Sequence, residues 1–224
     1  MKRDHPWLVL VDFDGTLTLR DADFVIADAL LGEQGRAVYG PLAHAYESLE
    51  IGIVEYFDGY LAGLGAGPGD IARCAAEVPV RPGLAELARW CEGAGVDLRL
   101  VSEGIDLYIE PVLEACGLSD LEVSCNLASF DGERYQVAPP PDAESCERCL
   151  NCKGVHVRRA QDLGRRVAVV GNGSSDLCGA RLADLVLARD ILLEHCEREG
   201  IACVAWDSFE DVRAALEAEL RGPT

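Results

Sequence analysis

Lysine is almost missing from this chain. Among 224 residues the only lysines are Lys2 and Lys153, and arginine supplies the remaining basic groups. The 20 basic residues face 39 Asp and Glu, a formal net charge of −19. Such a surface repels phosphate backbones and anionic headgroups, which argues against nucleic-acid and membrane partners. A solvated acidic surface with no functional meaning is the plain alternative for that charge. Long apolar runs are missing too: no stretch approaches the ~20 residues of a membrane-spanning helix. No signal-peptide pattern precedes the first strand, and neither internal repeats nor low-complexity segments are found. A soluble, cytoplasmic protein is the expectation, while the oligomeric state is left open.

What the chain does have is apolar residues, 49% of the total, enough to bury a proper core. Its length suits one large domain, or one domain carrying a smaller insertion. It also has ten cysteines. In a secreted protein they would suggest disulfides, but no export signal supports that. Cys74, Cys91, Cys116, Cys178, Cys196 and Cys203 lie singly in helix-like or strand-like stretches and read as small apolar groups. Cys146, Cys149 and Cys152 instead have C-x₂-C-x₂-C spacing. They can hold a structural Zn²⁺ if a fourth ligand such as Cys125 or His156 joins them. Reduced thiols in a loop, or a pair that oxidises, are the alternatives.

The pattern along the chain changes twice. Residues 7–11 (WLVLV) are a continuous apolar run ending in a polar turn, the signature of a buried parallel strand. Residues 18–80 then carry helical periodicity, as in Ile53, Tyr56, Phe57, Tyr60 and Leu61. From residue 82 helices and strands alternate: helices near 83–93 and 105–116, strands at 96–101 and near 121–124, and a hairpin at 126–137 centred on Asp131-Gly132. Helices near 154–163, 175–183, 190–199 and 208–220 then alternate with strands near 166–170, 185–188 and 202–205. This alternation predicts an α/β fold: a doubly wound, Rossmann-like parallel sheet formed by 1–17 and 81–224, with 18–80 as an inserted small α-helical cap.

In such a sheet, functional groups gather at the carboxyl ends of the strands. Four polar motifs fall there: Asp12-Phe13-Asp14-Gly15-Thr16, Ser102-Glu103-Gly104, Lys153 at the start of a helix, and Gly171-Asn172-Gly173-Ser174-Ser175-Asp176. Together they suit phosphoryl transfer, in which positioning and charge neutralisation do most of the catalysis. Asp12 can attack phosphorus and form an aspartyl-phosphate. Asp14 can protonate the leaving alkoxide and then deprotonate the resolving water. Asp12, the Asp14 carbonyl, Asn172 and Asp176 offer oxygen ligands that suit Mg²⁺. Ser102, Glu103 and Gly104 form the second motif, in which the serine can donate to a phosphate oxygen and the small Gly104 lets backbone N–H groups approach. Lys153 supplies a compact positive charge where the rest of the chain uses arginine. Arg20 can meet an anionic part of a substrate, although a helix-flanking surface arginine is the simpler reading. Tyr46, Tyr56, Phe57 and Tyr60 can line the pocket, although their helical spacing is more often that of cap core.

In order and spacing these motifs resemble the four motifs of the haloacid dehalogenase superfamily of phosphatases. D-F-D-G-T corresponds to the first, and Ser102, Lys153 and G-N-G-S-S-D to the others. A helical insertion between the first two is similar to the small-cap class that includes phosphoserine phosphatase. V-S-E-G-I-D, C-N-L-A-S-F-D-G at 125–132, the cysteine run ending in Cys-Lys and the C-terminal stretch LARDILLEHCEREGIACVAWDSFEDV resemble one branch of that superfamily. That branch includes the phosphatase acting on 2-hydroxy-3-keto-5-methylthiopentenyl-1-phosphate and is related to phosphoethanolamine/phosphocholine phosphatases. The resemblance implies a Mg²⁺-dependent phosphomonoesterase for a small phosphorylated metabolite. Phosphoserine- or phosphocholine-type hydrolysis and phosphotransfer to another hydroxyl are the alternatives among enzymes. One departure stands out: the superfamily's fourth motif usually begins Gly-Asp, and here the second residue is Asn172. One ligand charge is lost, so weaker metal binding is expected, and a non-catalytic binding or regulatory module on a decayed phosphatase scaffold is the alternative of another class.

Overall fold

The computed structural model describes residues 6–48, 50–141, 143, 145–146 and 149–221. In chain order the elements are β1 (Trp7–Val11), α1 (Ala22–Leu31), α2 (Gly35–Glu47), α3 (Ile53–Leu64), α4 (Pro68–Ala75), α5 (Leu84–Ala94), β2 (Val96–Ile105), α6 (Asp106–Ala115), β3 (Glu122–Phe130) and β4 (Tyr135–Ala138). There follow α7 (Lys153–Asp162), β5 (Arg166–Gly171), α8 (Leu177–Ala180), β6 (Leu185–Ala188), α9 (Asp190–Glu199), β7 (Val204–Ala205) and α10 (Phe209–Arg221). The strands hydrogen-bond in the order β4-β3-β2-β1-β5-β6-β7. The sheet is mostly parallel, with β4 antiparallel to β3, so the chain has an α/β fold.

The chain divides into two compact units, and β2 contributes to both. Unit 1 comprises Met1–Leu17, Arg81–Val101 and Lys153–Thr224. At its centre all five residues of β1 are buried, because parallel neighbours flank it on both sides. Val11 pairs in register with Leu100 of β2 and with Val170 of β5. On one face of the sheet Leu8, Leu10, Val167 and Val169 alternate along their strands and pack with Val157 and Ala160 of α7. Burying side chains of this size contributes roughly 1.5–3 kcal/mol each, which fixes the strand ends where the polar turns begin.

Unit 2 comprises Thr18–Val80 and Ser102–Cys152. The helices α1 to α4, foreseen as the cap, are therefore grouped with α6 and the β3–β4 hairpin. Tyr56, Phe57, Tyr60 and Leu61 of α3 are buried here, with Ile71 of α4 and Tyr108 of α6. Tyr56 meets Phe57 edge-on, and Phe57 lies 6.5 Å from Tyr108 between ring centroids. These aromatics are core, as their helical spacing indicates.

The strand near 121–124 and the hairpin at 126–137 turn out to share one long strand, β3, which runs unbroken from Glu122 to Phe130. Its turn at Asp131-Gly132 has Gly132 at φ 106°, with Asp131 Oδ1 accepting from the N–H groups of Glu133 and Arg134. Among the described residues, no helix is long and apolar enough to cross a membrane.

Candidate active site

Three charged side chains converge in the interior of unit 1. Lys153 opens α7, is 1% exposed, and places Nζ 2.6 Å from Asp12 Oδ1 and 2.8 Å from Asp176 Oδ1. Asp12 follows β1 directly, its N–H donating to the Val170 carbonyl at 2.9 Å, so the sheet itself fixes its backbone. Asp176 uses its other oxygen, Oδ2, to accept from the N–H groups of Asn172 and Gly173, both at 3.0 Å. It thereby folds the 171–176 loop around itself. A Cβ on Gly171 would lie 2.3 Å from Asp176 Oδ2, so a side chain there would displace the carboxylate.

The first motif and the fourth lock together. In the turn 13–17 Asp14 is extended and Gly15 takes φ 69°, a conformation glycine adopts without strain. A Cβ on Gly15 would fall 2.2 Å from Asn172 Nδ2, and Thr16 Oγ1 donates to Asn172 Oδ1 at 2.9 Å. Arg81 braces the same turn, donating from Nε to the Thr16 carbonyl at 3.1 Å and from Nη2 to the Gly15 carbonyl at 3.4 Å. Its guanidinium also covers the Trp206 ring. Arg81 was not singled out in the sequence, because a lone arginine outside any motif carries no signal of this role.

The electrostatics of the trio are unbalanced. Burial, reinforced by the negative charge of Asp176, pushes the Asp12 carboxyl up to about 7, with Lys153 pulling the other way. Burial also works against the Lys153 ammonium, but Asp12 and Asp176 outweigh it and hold the group above its ordinary range. Whenever Asp12 is ionised beside Asp176, the single ammonium leaves this buried trio short of positive charge. A buried carboxylate in that state calls for further positive charge.

The second motif belongs to unit 2 apart from its strand. Ser102 stands two residues beyond Leu100, the register partner of Val11. Its Oγ accepts from the Gly104 N–H at 2.9 Å, which keeps its own O–H as a donor. Gly104 has no room for a side chain, since a Cβ would lie 2.4 Å from Tyr108 Oη. Glu103 is 7% exposed, and its carboxylate accepts from the N–H groups of Asn151 at 2.9 Å and Leu150 at 3.2 Å. Asn151 in turn donates from Nδ2 to the carbonyls of Ser102 and Ser124, both at 2.9 Å. The sequence suggested Glu103 for substrate contact; its carboxylate here holds the segment that leads into Lys153.

Arg20 is likewise engaged within unit 2. It pairs with Asp28 at 2.8 Å, donates to Tyr39 Oη at 2.8 Å and lies over the Phe24 ring. The same unit holds a buried acid that sequence reading passed over. Asp23 is 6% exposed and accepts from Tyr56 Oη, and Tyr60 Oη donates to its carbonyl at 2.7 Å. Burial, then the charge of Asp21, pushes its carboxyl up to about 7. Asp23 could have been noticed only as an acid in an otherwise apolar helical stripe. The thiols of Cys146, Cys149 and Cys152 lie within 4.8 Å of one another.

Residues 9–181 match the model of the haloacid dehalogenase-like hydrolases. The chain belongs to that family. Its curated relatives include two proteins named 2-hydroxy-3-keto-5-methylthiopentenyl-1-phosphate phosphatase. The one from Brevibacillus brevis is 29% identical, over 94% of this chain and 95% of the relative. The one from Exiguobacterium sibiricum is 31% identical, over 91% and 93% respectively. Among solved structures, a phosphoserine phosphatase carrying an analogue of its phospho-aspartyl intermediate superposes with a TM-score of 0.70 over 93% of this chain and 97% of that one. At 17% identity that likeness speaks for the fold.

Proposed function

We propose that this chain is a Mg²⁺-dependent phosphomonoesterase that acts on a small phosphorylated metabolite through an aspartyl-phosphate on Asp12. The observation carrying this reading is the buried Asp12–Lys153–Asp176 trio, with Nζ 2.6 Å from the carboxylate that would attack. In the first step an Asp12 oxygen attacks phosphorus and the P–O ester bond breaks. Asp14 gives its proton to the departing alkoxide. In the second, the Asp14 carboxylate takes a proton from water, which attacks the acyl phosphate and releases inorganic phosphate with Asp12 regenerated. Lys153 and the O–H of Ser102 neutralise and orient the phosphoryl oxygens.

The residues present fit Mg²⁺. Asp12, the Asp14 carbonyl and Asn172 offer only hard oxygen donors, and the trio's net negative charge asks for a cation. Asp176 accepts from the 172 and 173 N–H groups through Oδ2, while its Oδ1, 2.8 Å from Lys153 Nζ and without a hydrogen bond, is a further oxygen donor for the ion. When bound, the ion supplies positive charge that favours ionised Asp12 and offsets charge on the phosphoryl group. Asn172 brings no charge of its own, and so the ion is held more weakly than an aspartate would hold it.

We assign 18–80 to a helical cap domain and 1–17 with 81–224 to the core domain, and the protein to the cytoplasm. Glu103 is a positioning residue and Arg20 contributes to cohesion of the cap. The names of the relatives make 2-hydroxy-3-keto-5-methylthiopentenyl-1-phosphate the first substrate to try. Turnover of a panel containing it, phosphoserine and phosphocholine, with and without Mg²⁺, tests the reading. Phosphate release that needs Mg²⁺ and favours the first compound supports it; binding without turnover at saturating Mg²⁺ contradicts it.

A further inference from the structure

The phosphatase reading makes no use of the three clustered cysteines. We infer that Cys146, Cys149 and Cys152 are thiolate ligands of one structural Zn²⁺ that holds the loop 139–152. Their sulfurs approach within 4.8 Å of one another, although the residues are spread over two C-x₂-C steps. Three sulfurs on one tetrahedral Zn²⁺, each with a Zn–S bond of ~2.3 Å, stand roughly 3.8 Å apart, within that limit. A disulfide brings together two sulfurs only, at ~2.05 Å, and gives no reason for a third to gather beside them.

The loop itself supplies a reason for a crosslink. It joins the end of β4 at Ala138 to the start of α7 at Lys153, and no helix or strand lies between them among the described residues. Irregular loops of more than ~12–15 residues are uncommon in compact proteins and need something to order them. The loop has few apolar side chains beyond its cysteines, yet Cys149 and Cys152 are 5% and 3% exposed. Cys146 N–H donates to the Cys149 carbonyl at 2.9 Å, which ties the first two cysteines to each other. Three soft thiolates brought this close select Zn²⁺ over Mg²⁺, so this site does not compete with the oxygen donors around Asp12. Metal binding releases the three thiol protons to solvent, with no redox change.

The consequence falls on Lys153. Cys152 immediately precedes it, and Leu150 and Asn151 are fastened to Glu103. Zinc and the Glu103 clamp thus hold the chain up to the residue before the ammonium.

The test is metal analysis and X-ray absorption of the full chain, purified without chelator and then dialysed against EDTA to strip carboxylate-bound ions. About one Zn²⁺ per chain, with three or four sulfur neighbours at ~2.3 Å, is expected in the wild type and equally in Asp12→Asn. Cys149→Ser and Cys152→Ser should retain less than about one tenth of that zinc. Because these variants can fail to fold, the wild type is also titrated with p-hydroxymercuribenzoate in the presence of a chromogenic zinc chelator. Zinc released in step with thiol modification supports the site. The fourth donor is read from the same spectra: loss of one sulfur in Cys125→Ser or Cys178→Ser, or of a nitrogen in His156→Ala, identifies it. Wild-type protein with less than about one tenth of a zinc per chain, or with two or fewer sulfur neighbours, overturns the inference, as does zinc lost in Asp12→Asn. None of these outcomes depends on phosphatase activity, so the zinc site and the proposed reaction fail separately.

Discussion

Replacing Lys153 by methionine keeps most of the side chain's length and volume and deletes its charge. In the wild type the ammonium is 1% exposed and touches two carboxylates, at 2.6 Å from Asp12 and 2.8 Å from Asp176. At these distances each pair attracts by about 6 kcal/mol at an effective dielectric constant near 20, against which stands the cost of burying the ammonium. Removing one partner of a buried pair destabilises by about 3–5 kcal/mol, because the remaining charge is left uncompensated. Here two charges remain, so the upper part of that range is expected at about pH 8.5. The pH dependence follows from Asp12. Its carboxyl titrates near 7 in the folded protein, above its ordinary value, so it is largely protonated in mild acid and charged in mild alkali. The loss caused by Lys153→Met should therefore shrink by at least about 1 kcal/mol when unfolding is measured near pH 5.5 instead. Guanidinium unfolding followed by circular dichroism at the two pH values gives both numbers. A loss below about 1 kcal/mol, or an equal loss at both pH values, would refute the electrostatic account of the trio.

Three further outcomes follow from the same geometry. Asp23 has a folded pKa raised to about 7, so the folded state binds that proton more tightly than the unfolded chain. Stability from this group is then greatest below the ordinary carboxylate range and is lost as pH rises through 7, by at most about 4 kcal/mol; Asp23→Asn should roughly halve the slope in urea titrations, Asp12 supplying the remainder, and an unchanged slope would refute the assignment. Asn172→Asp restores a charged oxygen donor, and the Mg²⁺ concentration giving half-maximal activity should fall about tenfold. An unchanged Mg²⁺ requirement would remove Asn172 from the ligand set. Gly15→Ala places a Cβ 2.2 Å from Asn172 Nδ2 at a φ of 69°, so it should lower stability by about 1–3 kcal/mol and weaken Mg²⁺ activation together. Full activity in that variant would show that the turn tolerates a shift.

The sheet was readable because each parallel strand is a short apolar run ended by a polar turn. Residues 7–11 match β1 to the residue, while β2 runs on to Ile105 because Ser102, Glu103 and Gly104 continue the extended backbone. Lys153 stood out through the rarity of lysine, and the structure puts it in the interior between two aspartates. What the sequence hid are contacts between distant segments. Nothing near Glu103 announces that its carboxylate caps the amides of residues 150 and 151, and nothing near Arg81 announces its grip on the Gly15 and Thr16 carbonyls. Asp176 is offered as a metal ligand by its place in a motif, and the hydrogen bonds of its Oδ2 to two backbone N–H groups, which depend on how the loop folds back, are not legible there. Periodicity reports on burial along one segment; it carries no information about which segment supplies the partner.

The most direct test of the proposed reaction is the turnover of Asp12→Asn. With 2-hydroxy-3-keto-5-methylthiopentenyl-1-phosphate and saturating Mg²⁺, kcat should drop by at least about 10³-fold, since the amide cannot form the acyl phosphate. Unfolding curves should show that the variant still folds, and substrate binding should persist. Hydrolysis at the wild-type rate in this variant contradicts the assignment of Asp12 as the nucleophile.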